Sequence, residues 1–384
     1  MPERRTVLVL GGGVGGVTVA TRLGRLFDDC RVVLVDREEH HLFQPSLLWL
    51  LVGRRRAEQI RRPLDCLQRR GIEVVRGEIE EIDPRARSVR VSGRAWTGDA
   101  LVVGLGADLA AEQIPGLVDA GHDIYTLEGA RTARDALQVF RNGRIVVLTA
   151  APAYKCPAAP YEAAMLIEAD LRHRRLPRPA TIDVYAAEPA PMGVAGPHVS
   201  AAVRGMLEQR SIGYHPEHQV SSVDPSARRI SFANGAVADY DLLMFVPPHR
   251  APAVVRQSPL AGETGWIPVN RHTLETGFPS VFAIGDVTVI PLAVGKPLPK
   301  AGVFAHAQAD VVARNLAHAW LGTGAPVRFD GHGACFLEAG DGRAGYGSGN
   351  FYAEPAPQVR LRSPNRWWHL GKVAFEKRWL RGLR

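Results

Sequence analysis

Short aliphatic runs alternate with stretches of helical spacing along this chain, and their order predicts strands and helices in turn. Residues 7–10 (VLVL) read as a strand, 17–26 have apolar residues at helical spacing, and 31–35 read as a second strand ending at Asp36. Continuous apolar runs of this kind suit strands covered on both faces, as in a parallel sheet. Strand-like runs follow at 74–79, 88–91 and 100–103, the last ending in Gly104-Leu105-Gly106-Ala107, a turn able to pass close to a ligand. A second series starts after Ile114-Pro115-Gly116. It has strands at 144–149 and 181–185, helices at 163–171 and 199–209, then strands and turns through 229–246 up to Pro247-Pro248. Further on, 281–284 reads as a strand stopped by Gly285-Asp286, and 300–303 open a helix through residue 319.

The first strand, turn and helix carry chemistry. Gly11-Gly12-Gly13-Val14-Gly15-Gly16 sits between strand and helix, and Asp36 closes the next strand. Gly11 permits the tight turn, Gly13 lets the backbone approach a pyrophosphate, Gly16 allows close helix packing, and Asp36 can accept from ribose hydroxyls. The apolar stretch 40–53, HHLFQPSLLWLLVG, follows that acid directly and is placed along the same ligand, so Pro45 joins the candidate lining with Ile79, Gly104 and Gly106. The chain of 384 residues is too long for one core. The expected fold is α/β with two Rossmann-like dinucleotide-binding domains, the first split into 1–110 and 237–330, the second spanning 111–236. Residues 331–384 form a C-terminal segment facing a membrane or an interface.

The second unit departs from the first at its opening turn. Its strand enters a loop with Pro152, Pro157 and Pro160 that carries Cys156, with Lys155 before it and Glu162 six residues after. A thiol stands where a phosphate cradle would be. Three prolines stiffen that loop, Lys155 can favour a thiolate, and Glu162 falls in the first turn of the next helix, where its charge suits the helix dipole.

Composition narrows the field. Hydrophobic residues make up 46% and charged residues 22%, as in an ordinary globular protein. No run is long enough to span a bilayer, and residues 1–5 lead straight into a strand, not a secretory signal. The expected location is the cytoplasm or the periphery of the cytoplasmic membrane. Net charge is +8, with arginine clusters at 54–56, 61–62, 69–70 and 172–175. No nucleic-acid motif accompanies them, so they read as solvated faces or as contacts for an anionic lipid surface. Four cysteines, Cys30, Cys66, Cys156 and Cys335, are too few and too spread for a disulfide scaffold, and His215 with His218 or His332 with Cys335 lack further ligands for a metal.

Gly11 to Gly16 with Asp36, Gly104 to Ala107, and Ala283 to Asp286 resemble the flavin-binding signatures of the two-dinucleotide-domain disulfide reductase superfamily. That resemblance implies FAD, with Asp286 near its ribityl and pyrophosphate groups and the helix opening at Lys300 facing an electron-rich group. Many such proteins have a second glycine-rich turn for a nicotinamide cofactor, which is missing here. Cys156-Pro157, Pro160-Tyr161-Glu162 and the distant Cys335-Phe336 are similar to sulfide:quinone oxidoreductases and the flavoprotein subunit of flavocytochrome c sulfide dehydrogenase. The similarity implies that Cys156 and Cys335 meet beside the flavin, and that Glu162 is an acid or base. Sulfide would attack their disulfide, and electrons would leave through FAD to a membrane quinone. Residues 43–53 hold no cysteine to tie the flavin, so FAD is expected to be non-covalent. Residues 125–136 lack the third cysteine found in some of these enzymes.

The C-terminal tail fits that destination. Trp367, Trp368, Leu370, Val373, Phe375, Trp379, Leu380 and Leu383 are interleaved with Lys372, Lys377, Arg378, Arg381 and Arg384. Trp368, Phe375 and Trp379 share one side of a helix, with basic residues able to snorkel; the same pattern also suits a helix packed on the body. The tail is expected to dock the protein on a membrane surface without building the sulfide site, and a homo-oligomer is compatible with this reading. Two rivals are a type II NADH:quinone dehydrogenase, disfavoured by the missing glycine turn, and a subunit relaying electrons to a cytochrome.

Overall fold

The computed structural model describes residues 4–175 and 180–383. Two five-stranded parallel sheets dominate it. The first runs Val281–Ala283, Ala100–Val103, Arg5–Leu10, Cys30–Asp36, Ile72–Arg76. Along Arg5–Leu10, Val7 and Val9 point to a layer made by helices Val14–Leu26 and Gly302–Leu321, while Leu8 and Leu10 point to the opposite apolar layer with Val33, Val35 and Leu101. Both faces are therefore dry, and the aliphatic run needs no polar alternation. Each such fully buried aliphatic side chain contributes about 1.5–3 kcal/mol relative to exposure.

The second sheet repeats the plan in the order His122–Asp123, Leu242–Val246, Gly143–Thr149, Ala180–Ala186, Gly213–His215. Each unit adds a three-stranded antiparallel ribbon: Ile79–Asp83 to Arg94–Thr97 in the first, Val220–Asp224 to Val237–Asp239 in the second. A division at residue 237 is thereby corrected. Val237–Asp239 and Leu242–Val246 complete the second unit, as Arg94–Thr97 and Ala100–Val103 complete the first. The chain returns only after Val246, where His249–Arg250 pairs antiparallel with Asp108–Leu109 of the outgoing connection.

The C-terminal part is a three-stranded antiparallel sheet, His332–Glu338, Ala344–Asn350, Gln358–Asn365, followed by helix Arg366–Arg381. The Asn365 side chain caps that helix by accepting from the Trp368 amide at 3.0 Å. The expected aromatic stripe faces inward. Trp368 stacks on Tyr346 at 4.5 Å, Trp379 donates to His41 at 2.9 Å, and Phe375 leans on Phe43 and Phe336. Lys372, Glu376 and Leu380 are buried on this face, while Trp367 (80% exposed) and Leu370 (54%) look outward. Arg384 lies outside the described residues.

Three arginine clusters are also reassigned. They are not simply solvated, because one member of each holds the same helix. Arg55 pairs with Glu376 at 2.7 Å, and Arg62 and Arg70 donate to the carbonyls of Leu380 and Gly382. Those last two cap the negative end of the helix dipole. Among the described residues no helix is long and apolar enough to cross a membrane.

The packing makes the tail part of the body. A chain ending at Asn365 would strand Glu162 and Arg55 without their partners. We expect it to be insoluble, or to melt roughly 10 °C or more below the full chain by circular dichroism; an unchanged melt would refute this packing.

Candidate active site

The glycine turn is built by contact. Gly11 has φ +102°, and a side chain there would meet the Gly104 carbonyl 2.5 Å away; at Gly16 it would lie 1.8 Å from the Gly11 carbonyl. The turn thus closes on itself and on Gly104, so only glycine fits at these two points. Gly13 has nothing within 4 Å of a notional Cβ and faces open space at the helix start, beside Val14 and Gly15. Asp36 accepts from the Gly12 amide and from the Glu38 amide at 2.7 Å, with lone pairs to spare. His41 links this turn to the tail. Its Nδ1 lies 2.8 Å from the Gly12 carbonyl, while its Nε2 accepts from Trp379. Only the neutral Nδ1–H form satisfies both contacts, and burial lowers its pKa in the same sense.

On the facing side, Gly285 (φ +73°) is held by its amide donating to Gln308 at 2.7 Å, and Asp286 Oδ1 is buried with no hydrogen-bond partner. Burial raises the Asp286 carboxyl. An orphaned buried acceptor calls for a donor from elsewhere. Lys300 donates to the carbonyls of Asp286 and Thr288 and lies 3.4 Å over the Trp266 ring, and burial brings its pKa down to about 8. Gly106 (φ +72°) is open, Pro45 is exposed at the entry to helix Leu47–Leu51, and Ile79 is absorbed into the apolar layer behind the sheet.

The Cys156 loop is bolted to this side. Cys156 takes φ +50°, and its amide donates to the Lys300 carbonyl at 2.7 Å. Its own carbonyl accepts from Tyr125 Oη at 3.0 Å and the Ala159 amide at 2.9 Å. Glu162, in the first turn of helix Ala159–Arg174, is buried and receives Lys372 Nζ at 2.8 Å. Cys335 lies on strand His332–Glu338. Both cysteines are free and not within bonding distance, yet they share one electrostatic field. Burial first, then the charges of Cys335 and Glu162, push the Cys156 thiol far up, and Lys372 opposes them. Burial and Glu162 push Cys335 up to about 11. Cys335 is nonetheless solvent-accessible.

Lys155 does not play the part expected of it. Its ammonium sits near the Tyr125 ring and in the field of Asp286 and Asp123 before that of Cys156. The cation that most lowers Cys156 is Lys372, from the tail. Glu338, fully buried beside it, is held by His369 at 3.0 Å. Of the paired histidines, His215 goes to Asp183 and His332 to Asp330, and among the described residues no group of three or more candidate ligands gathers.

In the second unit the acid that follows the second strand is Glu188. It is buried, and accepts from Thr149 at 2.8 Å, Tyr161 at 2.6 Å and Tyr154. Leu10 pairs with Val35 and Thr149 with Ala186, so Glu188 lies one position beyond the counterpart of Asp36, next to where a dinucleotide fold binds ribose.

A pyridine nucleotide-disulphide oxidoreductase model matches residues 5–309. The chain belongs to that family. It is also similar to the mitochondrial sulfide:quinone oxidoreductase of Mus musculus, 28% identical over 366 residues covering 91% of this chain and 79% of that one. The sulfide-quinone reductase of Aquifex aeolicus (strain VF5) is 28% identical over 397 residues, 97% and 90% of the two chains. The X-ray structure of the sulfide:quinone oxidoreductase from the hyperthermophilic bacterium Aquifex aeolicus superposes with TM-score 0.89 at 26% identity, covering 99% of this chain and 91% of that one. The expected resemblance to a flavoenzyme of this kind therefore holds along the whole chain.

Family membership implies an FAD-binding oxidoreductase, and the residues fit that group. Gly13 and the helix start can take a pyrophosphate, Asp36 a ribose, and the orphaned Asp286 a hydroxyl. Lys372, Glu338 and Glu188 escaped the sequence reading. Only Glu188 carried a signal: it is the first acid after the strand that follows a strand–turn–helix, two residues past its end.

Two outcomes are expected here. Acid or heat should release all flavin from the purified protein; flavin left on the denatured chain would mean covalent attachment. Lys372→Met should cost about 3–5 kcal/mol by leaving Glu162 buried and unpaired, and adding Glu162→Leu should recover much of it. Denaturant titration of the two variants measures both.

Proposed function

We propose that this chain oxidises sulfide and passes the electrons through non-covalently bound FAD to a membrane quinone. One observation carries the reading: Cys156, Cys335, Glu162 and Lys372 share a field next to the dinucleotide cradle, with Cys156 hydrogen-bonded to Lys300. Two features count against nicotinamide. The strand Gly143–Thr149 meets no glycine turn, and the position corresponding to Asp36 is Ala187, while the neighbouring acid Glu188 is already satisfied by three hydroxyls.

In this reading Cys156 and Cys335 alternate between a disulfide, or a longer sulfur bridge, and a persulfide facing a thiolate. Hydrosulfide attacks the disulfide: a new S–S bond forms a persulfide on one cysteine as the old bond breaks to leave a thiolate on the other. Hydrosulfide sulfur is thereby oxidised by two electrons. FAD, when bound, would supply the acceptor for the two electrons released as the thiolate and persulfide close a sulfur bridge, and quinone the final acceptor. The protein's own residues manage charge. Neither thiol ionises readily while Glu162 is negative; if Glu162 takes the proton, Lys372 is left to face the thiolate. A carboxylate whose pKa is raised by burial is the better base for that exchange.

The outward Trp367 and Leu370, with the exposed Lys377, Arg378 and Arg381 on the same helix, support docking on a membrane surface. The reading places the protein at the periphery of the cytoplasmic membrane, with the dinucleotide-binding domain formed by residues 1–110 and the segment after 246. Stopped-flow absorbance tests it. Sulfide should bleach the flavin within the mixing time and NADH should not. Cys156→Ser and Cys335→Ser should keep FAD yet reduce with sulfide more slowly by about two orders of magnitude or more. Rapid bleaching by NADH, or an unimpaired Cys335→Ser, would turn the assignment to an NADH dehydrogenase or an electron relay.

A further inference from the structure

We propose that Glu188 is a positioning residue that fixes the Cys156 loop from the connection just past strand Ala180–Ala186. The consequence for rate rests on the sulfide reading above; the geometry does not.

The two units share an order of strand, turn, helix, strand and acid. In the first, Asp36 reaches back and accepts from the Gly12 amide, so the acid organises the turn that follows the first strand. In the second, Glu188, one position further along, reaches back to the end of the strand and the loop beyond it, and finds side chains. Oε2 accepts from Thr149, at the very end of the strand, and Oε1 accepts from both Tyr154 and Tyr161. Tyr154 lies two residues before Cys156 and Tyr161 five after. One carboxylate oxygen therefore ties both ends of the segment that carries the thiol.

That tie has work to do. Cys156 holds a left-handed backbone at φ +50°, which costs of order 1–3 kcal/mol for a non-glycine residue and persists only when its surroundings over-determine it. Its direct hydrogen bonds, to Lys300, Tyr125 and Ala159, fix the peptide groups at Cys156 itself. None of them fixes how the loop leaves the strand or enters the helix, which the tyrosines do. Both tyrosines are buried, and burial lifts their hydroxyl pKa well above the usual value. They stay protonated donors, so the tie does not titrate away in the working range. The acceptor is a single carbonyl-like oxygen, and charge is not required of it. A glutamine can take both hydroxyls on Oε1 and donate from Nε2 to Thr149 Oγ1, which keeps its bond from the Ala187 amide.

The test uses full-length, FAD-loaded protein with two readouts: flavin bleaching by sulfide, and iodoacetamide labelling of Cys156 in the reduced protein, followed by peptide mass spectrometry. Glu188→Ala should slow bleaching about tenfold or more and speed Cys156 labelling as the loop loosens, Tyr154→Phe should do both by about threefold, and Glu188→Gln should match the parent. Cys335 labelling and flavin content should not move. Unchanged Cys156 labelling in Tyr154→Phe and Glu188→Ala overturns the proposal. So does Glu188→Gln as impaired as Glu188→Ala, which would make charge, not position, the cause. Should Glu188→Ala fail to fold, Tyr154→Phe against Glu188→Gln decides alone. A parent that sulfide does not bleach, with labelling shifted as stated, would sink the sulfide reading and leave the positioning role standing.

Discussion

The ion pair between Glu162 and Lys372 is the constraint on which the site depends. Each ion loses several kcal/mol of hydration on burial, and their attraction compensates only with tight geometry and further partners. Here the partners exist: Glu338 adds its charge to that of Glu162 around Lys372, the Trp49 ring lies 5.1 Å from the ammonium, and His369 satisfies Glu338. One turn further along the helix, Glu376 meets Arg55 and the Ser46 hydroxyl at 2.6 Å. Moving the helix away would strand at least two buried carboxylates at once. The tail is therefore held by electrostatics as much as by its aromatic residues.

The same fold is used twice with different outcomes, and the difference lies in what the acid after the second strand finds opposite it. Asp36 meets a glycine backbone that leaves room for a ligand; Glu188 meets two tyrosines that fill it. The two tyrosines give the Cys156 loop a buried anchor at each end. Thr149, at the end of a strand buried from Ile145 onward, completes that arrangement.

Much of this was legible wherever the signal is local. The glycine turn, Asp36, Gly285-Asp286 and the Cys156 to Glu162 spacing are each read within a few residues, and backbone geometry dictates them. Lys372 was not legible: its partner lies 210 residues away, and a lysine among tryptophans looks like a snorkelling one. The tail's aromatic stripe was legible as a stripe, while the choice between a membrane-facing and a body-packed helix was not, because periodicity gives a face without saying which way it points. The arginine clusters misled for a related reason. A run of charges looks solvated unless the carbonyl or carboxylate it meets is already in view, and Leu380, Gly382 and Glu376 lie over 300 residues downstream. The boundary at 237 failed because a last strand belongs to the sheet it completes, not to the segment it precedes.

One helix now serves two surfaces. Inward, Lys372 lowers the cost of a negative charge at Cys156 and Cys335, and Trp379 reaches the glycine turn through His41. Outward, Trp367 and Leu370 remain exposed on the same sixteen-residue element. Because side chains three or four apart on a helix share a face and those two apart do not, the inner set at 372, 376 and 380 and the outer set at 367, 370 and 374 stay separate with no break in the helix. Because both sets sit on one continuous helix, the outer face cannot be displaced without carrying Lys372 with it. Lys372 in turn is the cation that offsets the charge of Glu162 beside both thiols, so the seating of this helix sets the electrostatics of the cysteine pair.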